Sequence, residues 1–536
     1  MLKNHAIILL LKKLLQKVSV KAPLLALFAV IFAFRWWFGM THDAFGQDVA
    51  RDLYLAESWR DSGTWVVPYG PKASVGNFYL PPFYYQVHIW ASALTNDHPH
   101  TMKAFVILLE SLTPLVLFGV LRHLGVTKRV AMLLAATYAI SYLPTMFGIF
   151  AWNPNTIPFF SLLGLLLWLQ FVKSQNGWLL LLYPLTVAIA VSFHYQAVVL
   201  VPFAVIAAFA IARLYRSYLP WLIAGVVLAA LPFAPYFSYE ASHGWQNMHA
   251  ITRYFSSEHS QYYDRISKPA YVLTFFPNFI ELIFTGTDLN PDWYGYVVYF
   301  VGGACLFLAA LKRDGRHTRW VLFYLLSLAL MLRVYKGDKL EYYLSTLYVL
   351  PVLLLGALSL YSRRLAVGLT LLAVFFAGSN LAKQPTEHGI TQLFETIEYV
   401  SEYALEKPVR LLFHTDDHVN TLAYGLAKLP IVAVDQSSRL LVEVCNPNDP
   451  CQWDTVLRCR ESRPFTYATL LKYERGYTQI SEHTFMPRYT VVIGELGTED
   501  GAGSVTAASA SAQNYRPYLI DEKYGTDLVM TEWVEY

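Results

Sequence analysis

Three carboxylates, Asp43, Asp48 and Asp52, follow the first long apolar run, in the stretch HDAFGQDVARDLYLAESWRDSGTWVVPYGPKASVGNFYLPPFYYQ between His42 and Gln86. Asp48 and Asp52 are four residues apart in DVARD, so a short helix puts both on one face. A carboxylate at the boundary of water and bilayer, among aromatic rings, is disfavoured in its charged form and becomes a better proton acceptor, the chemistry of a general base. The competing role for these acids is pairing with Arg51 and Arg60. Downstream, Gly70 and Gly76 permit a tight turn around Lys72, an ammonium suited to a phosphate, and Pro81-Pro82 stiffens the entry to an aromatic helix that begins near Tyr84 and Tyr85.

A second set of cations lies far away in sequence. RVYKGDKLEYY carries Arg333, Lys336 and Lys339, followed by Tyr342 and Tyr343 at the start of the next apolar helix. Cations at a membrane surface suit an anionic lipid headgroup, and the alternative is snorkelling or pairing with Asp338 and Glu341. His194 in SFHYQ ends another apolar run, where it serves either as a structural residue or as a headgroup or acceptor ligand. Trp152-Asn153-Pro154-Asn155 reads as a helix-capping turn.

A membrane has to hold these residues in place. The chain is 55% hydrophobic and only 15% charged over 536 residues, the balance of an integral membrane protein rather than a string of soluble domains. The 37 tyrosines and 14 tryptophans exceed what a lipid-buried bundle needs and suit membrane interfaces and sugar-stacking surfaces. The net charge of +3 is small and says little about partners, and no basic cluster argues for nucleic acid. The lysine-rich start leads into a span without a small-residue cleavage site and reads as an uncleaved anchor.

Apolar runs of the length needed to cross a bilayer fall near 23–39, 104–121, 129–147, 156–173, 178–193, 197–212, 218–237, 293–311, 319–335, 343–361 and 365–381, about eleven in all. If each crosses once, the clusters Arg122 with Lys128 and Arg129, Lys173, Arg213 with Arg216, Lys312 through Arg319, and Arg363 with Arg364 share one side with the N-terminus. That side is then the cytoplasm. The long loops 40–103 and 238–292 face outward, as does the tail from 382 to 536. Within 238–292, YVLTFFPNFIELIF is short and interrupted by Pro277, and is expected to be an interfacial or re-entrant helix.

Past Lys383 the pattern changes. Helical periodicity in GITQLFETIEYVSEYALE precedes strand-like VRLLFHT, helix-like HVNTLAYGLAKL, then IVAVD and YTVVIGE, which predicts a small α/β domain. An oxidising compartment favours a bridge such as Cys445 to Cys451. The spacing of Cys445, Cys451 and Cys459 is not that of a zinc ribbon, and Cys305 reads as packing within a span. GAGSVTAASASA reads as a loop.

Asp48-Val-Ala-Arg-Asp52, Gly70-Pro71, Pro81-Pro82-Phe-Tyr84-Tyr85, Trp152-Asn153-Pro154, His194 and Tyr342-Tyr343 running into Pro351 resemble, in that order, the GT-C superfamily of polyprenyl-phosphate-sugar-dependent glycosyltransferases. The bacterial family 39 type, related to protein O-mannosyltransferases and the aminoarabinose transferase of lipid A, is the nearest in kind. The resemblance covers residues 20 to 381. It implies a mostly α polytopic fold with a cytoplasmic N-terminus over 1–22, a transmembrane domain over 23–381 and an external α/β domain over 382–536. It also implies a bacterial inner (plasma) membrane location, with the active site and the C-terminal domain periplasmic or extracellular.

The resemblance implies an acid of the first external loop as catalytic base, Asp48 by match and Asp43 as the runner-up. The adjacent Asp-Glu pair that the protein mannosyltransferases place in this loop is absent from it in this sequence. Arg51, Asp52, Lys72, Tyr84, Tyr85, His194, Arg333, Lys336, Lys339, Tyr342 and Tyr343 are the implied substrate contacts. The expected reaction is inverting transfer of a sugar from a polyprenyl-phosphate donor to a hydroxyl of an envelope lipid, glycan or protein, with no metal and no cofactor. The alternatives are a transporter or lipid flippase for envelope precursors, which calls for charges in mid-span, where Glu110 is the main example, and a membrane-anchored binding protein acting through its tail.

Overall fold

The computed structural model describes residues 2–43, 45–73, 78–256, 268–286, 293–334, 341–405, 407–413, 425, 440–445, 477–485 and 489–496. The chain divides into two compact units. One comprises Met1–Met40 and Thr64–Pro385, the other Thr41–Gly63 and Thr386–Tyr536.

The first unit is helical. Among the described residues, eight stretches are long and apolar enough to cross a membrane: Ala22–Thr41, Thr101–His123, Asn153–Ser174, Tyr195–Leu214, Arg216–Ser242, Trp293–Leu311, Glu341–Ser359 and Arg363–Leu381. The first of these ends in residue Thr41, which belongs to the second unit. Three of the expected runs take other forms. The 129–147 run is two helices, Lys128–Ile140 and Tyr142–Phe147, because the extended backbone of Ser141 interrupts it. The 178–193 run is a helix of 16 residues with Pro184 inside, and 319–335 is the helix Arg316–Val334, where three arginines lower the hydropathy. Prolines stand in the first turns at Pro158, Pro202, Pro220 and Pro351, where the missing N–H has no intrahelical partner to lose.

Burial separates central from peripheral helices. Of the Glu341–Ser359 span 83% is buried, against 11% of Arg216–Ser242, whose Ile223, Val226 and Val227 are exposed and suit contact with lipid. The Leu350–Ser359 helix packs against Trp293–Leu311, Arg363–Leu381 and Lys128–Ile140. Close approach to the first of these requires a glycine at Gly302, where a Cβ would stand 2.8 Å from the Cβ of Leu354 and 3.0 Å from its carbonyl oxygen.

A charged pair lies inside this bundle. Arg35, on the first span, is 3.6 Å from Glu110 on the Thr101–His123 helix, and both are buried. The hydroxyls of Tyr138 and Thr113 donate to Glu110 at 3.4 Å, and Arg35 Nη2 donates to the Ala139 carbonyl at 3.3 Å. Gly148 lies against the guanidinium, where any Cβ would collide. The expected interfacial segment is a short apolar helix over Tyr271–Thr285 that opens with a π-helical turn.

The second unit mixes helices and strands. Its first part supplies the strand His42–Asp43 and the helix Gln47–Asp61. The strand pairs in parallel with Glu387–His388, His42 opposite Glu387 and Asp43 opposite His388. The helix Gly389–Ala404 buries Ile390, Leu393, Ile397, Val400 and Ala404, one stripe at helical spacing. A four-stranded sheet follows in the order Arg410–Phe413, Leu440–Cys445, Tyr489–Leu496 and Tyr477–Phe485. The first pair is parallel and the others antiparallel, with a register shift between Gln479 and Ser481. The expected helix and the strands in VRLLFHT and YTVVIGE fall on these elements. Apart from Gly425, the 418–429 and 431–435 segments, the 501–512 stretch, Cys451 and Cys459 lie outside the described residues. Cys305 is buried with a free thiol.

Candidate active site

In the second unit, Gly46 is the N-cap of the Gln47–Asp61 helix, so Asp48 falls in the first turn, where the exposed backbone N–H groups favour negative charge. Arg51 reaches back one turn and donates from Nη1 to Asp48 Oδ1 at 2.7 Å. The same guanidinium holds Asp52 more firmly, with Nε and Nη2 both donating to Oδ1 at 2.9 and 2.8 Å. Asp52 is fully buried, whereas the side chain of Asp48 is 36% exposed. The two acids do share a helix face, and Arg51 is their common partner. Arg60 pairs with Asp61. Asp43 is 4% exposed on its strand, and the backbone there runs so close to Gly389 that a Cβ at that position would stand 2.7 Å from the Asp43 carbonyl.

In the first unit, Lys72 sits in a hairpin. Lys72 bridges Tyr79 in antiparallel fashion, Gly70 N–H donates to Leu80 O at 2.7 Å, Leu80 N–H to Pro71 O at 2.9 Å and Ala73 N–H to Phe78 O at 2.8 Å. The tip, 74–77, lies outside the described residues. Desolvation pushes the Lys72 ammonium below the ordinary lysine value. Tyr69 packs on Tyr79 and Tyr239 at ring distances of 4.8 and 5.6 Å, and burial, followed by those two phenols, pushes it up to about 12. Phe78 packs on Tyr195 at 5.5 Å, and the Tyr195 hydroxyl donates to the Tyr79 carbonyl at 3.1 Å. The Lys72 hairpin is thereby tied to the residue next to His194.

His194 is one corner of an aromatic cluster. Its ring stacks on Tyr343 at 5.6 Å, Tyr343 meets Tyr342 edge-on at 4.4 Å, and Tyr342 lies 4.6 Å from Trp152. His194 Nδ1 accepts from Gln196 N–H at 3.2 Å, so that nitrogen carries no proton and the ring is neutral with its hydrogen on Nε2. In the orientation that satisfies both ends, the Gln196 amide donates to the carbonyls of Tyr342 and Tyr343 at 2.9 and 2.8 Å and accepts from Ser345 Oγ at 2.8 Å. Asn153 Nδ2 donates to the Phe193 carbonyl at 2.9 Å. Sequence elements some two hundred positions apart in the count therefore meet at His194.

Tyr84 and Tyr85 are buried. Tyr84 packs on His88 at 4.7 Å and Phe193 at 5.8 Å, and its hydroxyl donates to Ala151 O at 3.5 Å, so it braces the cluster from within. Arg333 lies over the ring of Tyr271 at 5.7 Å, a cation–π contact. Lys336 and Lys339 lie outside the described residues. Of the predicted residues, Asp43, Asp48, Arg51 and Asp52 belong to one unit, and Lys72, Tyr84, Tyr85, His194, Arg333, Tyr342 and Tyr343 to the other. Gln196, Ser345, Glu240 and Asn247 hold the second set in place. Sequence reasoning missed them because amides, a hydroxyl and a lone carboxylate whose partners lie on backbone or on distant side chains leave no spacing signal. Among the described residues there is no group of three or more His, Cys, Asp or Glu side chains able to hold a metal.

The family described as dolichyl-phosphate-mannose-protein mannosyltransferase matches residues 76–247, a segment that contains Tyr84, Tyr85 and His194 and begins just after Lys72. No curated protein matches the sequence. In fold, the chain is similar to the crystal structure of ArnT from Cupriavidus metallidurans bound to undecaprenyl phosphate. The TM-score is 0.54 at 13% identity, over 91% of this chain and 99% of that one. The apo state of ArnT gives 0.52 at 13% identity, over 91% and 100%. The chain is thus similar in fold to ArnT over most of its length while differing from it at most positions.

Proposed function

We propose, from the premise that this chain is a membrane glycosyltransferase of GT-C superfamily fold, that it moves a sugar from a polyprenyl monophosphate on the outer leaflet to a hydroxyl of an envelope lipid, glycan or protein. The observation that carries the proposal is the match of residues 76–247 to a family named for a polyprenol-type phosphate-sugar donor, because that segment holds His194 and the tyrosines that brace it. The fold shared with a protein crystallised with undecaprenyl phosphate supports a lipid phosphate as the donor handle.

In this reading Asp48 accepts the proton of the acceptor hydroxyl while that oxygen attacks the anomeric carbon from the face opposite the phosphate, and the configuration inverts. The bond from the anomeric carbon to the phosphate oxygen breaks, and the charge growing on the leaving lipid phosphate is met by Lys72, with Arg333, Lys336 and Lys339 supplying positive charge at the outer surface. Asp43 is the second choice for the base. Tyr342, Tyr343 and His194 offer aromatic faces and one N–H donor to a sugar or headgroup.

Deleting the gene and weighing the envelope glycolipids and glycoproteins tests the proposal. One class of molecule is expected to lose the mass of a single sugar and regain it on complementation. An unchanged envelope, together with no transfer by the purified protein from polyprenyl-phosphate sugars, overturns it.

A further inference from the structure

We infer that Asn247, held by Glu240, is a positioning residue for the Lys72 hairpin and so for the lipid-phosphate contact; the inference rests on the role proposed for Lys72. Tyr79 is the residue paired across the hairpin with Lys72, and the Asn247 side chain grips both of its backbone groups. Tyr79 N–H donates to Asn247 Oδ1 at 2.6 Å, and Asn247 Nδ2 donates to Tyr79 O at 2.9 Å. The amide thus occupies the place of one residue of a neighbouring strand. Its other Nδ2 hydrogen goes to the Tyr236 hydroxyl, so both donors and the oxygen are engaged.

Asn247 is itself fixed. The carboxylate of Glu240, 2% exposed, accepts from Asn247 N–H and Met248 N–H through Oε2, both at 3.1 Å. These are first-turn donors of the Gln246–Ser256 helix, which lack partners within the helix. Glu240, on the preceding helix Ala234–Ser242, reaches them because Gly244 and Trp245 both take positive φ, +67° and +59°, and reverse the chain within a few residues. A tryptophan held in the left-handed region marks a turn that its surroundings enforce.

The grip falls on the strand residue facing the proposed phosphate contact. A displaced Tyr79 carries Lys72 with it through the pairing.

The test is the affinity of the purified full-length protein for undecaprenyl phosphate without a sugar, measured with the unfolding temperature of each variant. Lys72→Met is expected to bind about tenfold more weakly, the loss of a charge-assisted contact. Asn247→Ala is expected to lose a similar factor, and the double variant to bind no worse than Lys72→Met alone. Glu240→Gln keeps an oxygen to accept the two N–H groups and retains most of the affinity. If Asn247→Ala does not fold, Asn247→Asp, which keeps the acceptor and removes both donors, takes its place in the same cycle. Wild-type affinity in the Asn247 variant, or a loss that adds in full to that of Lys72→Met, overturns the positioning role and leaves Lys72 standing. Wild-type affinity in Lys72→Met removes both.

Discussion

Arg51 divides itself unevenly between two carboxylates, and that division makes Asp48 testable. Asp52 takes two of its donors and Asp48 one, so Asp48→Asn leaves the guanidinium anchored. Transfer is expected to fall at least about 100-fold in a protein that still folds, the usual worth of a positioned base. A rate within a few fold of wild type removes Asp48 and makes Asp43→Asn the next variant to assay. Lys72 supplies a pH dependence. Desolvation favours its neutral form, which places its proton loss below the ordinary 10.5, and a phosphate needs the charged form. Donor affinity is therefore full near neutrality and declines as pH rises through the depressed value. Lys72→Arg should move that alkaline limb upward, because a guanidinium keeps its proton. An alkaline limb left in place by Lys72→Arg assigns it to another group. At this scale the shared face of Asp48 and Asp52 was legible, since a spacing of four sets it in any helix. Asn247 was not, because its value lies wholly in where Tyr79 comes to rest.

Helices are where sequence reading and structure diverge most instructively. The apolar runs marked the long spans because the bilayer demands length and apolarity together, but the break at Ser141 and the short helix holding Pro184 are matters of backbone geometry that hydropathy averages away. Glu110 stood out in the sequence as a mid-span charge, a feature that a transporter would use. Its partner Arg35 sits on another helix, and the pairing pins the first span to the Thr101–His123 helix. Glu110→Ala leaves a buried guanidinium without a counter-charge and is expected to cost about 3–5 kcal/mol, read as a lower unfolding temperature in detergent. Replacing both residues, Arg35→Met with Glu110→Leu, should restore much of that loss. Equal destabilisation by the single and the double change would show that the two charges do not depend on each other.

Across the whole molecule, the Gly389–Ala404 helix and the Arg410–Phe413 and Tyr489–Leu496 strands were legible from the change of period past Lys383. The membership of Thr41–Gly63 in that same unit was not, because strand pairing between residues so far apart leaves no local signal. His42 and Asp43 find their partners only at Glu387 and His388, and Gly389 must stay without a side chain to let the Asp43 backbone pass. The order of synthesis then matters. A ribosome makes the Asp43 strand early and its partner only after every long apolar helix of the first unit has been translated, so this pairing is among the latest the nascent chain can form. A chain released before Glu387 lacks the partner strand of His42–Asp43, so this pairing waits until translation has passed residue 388.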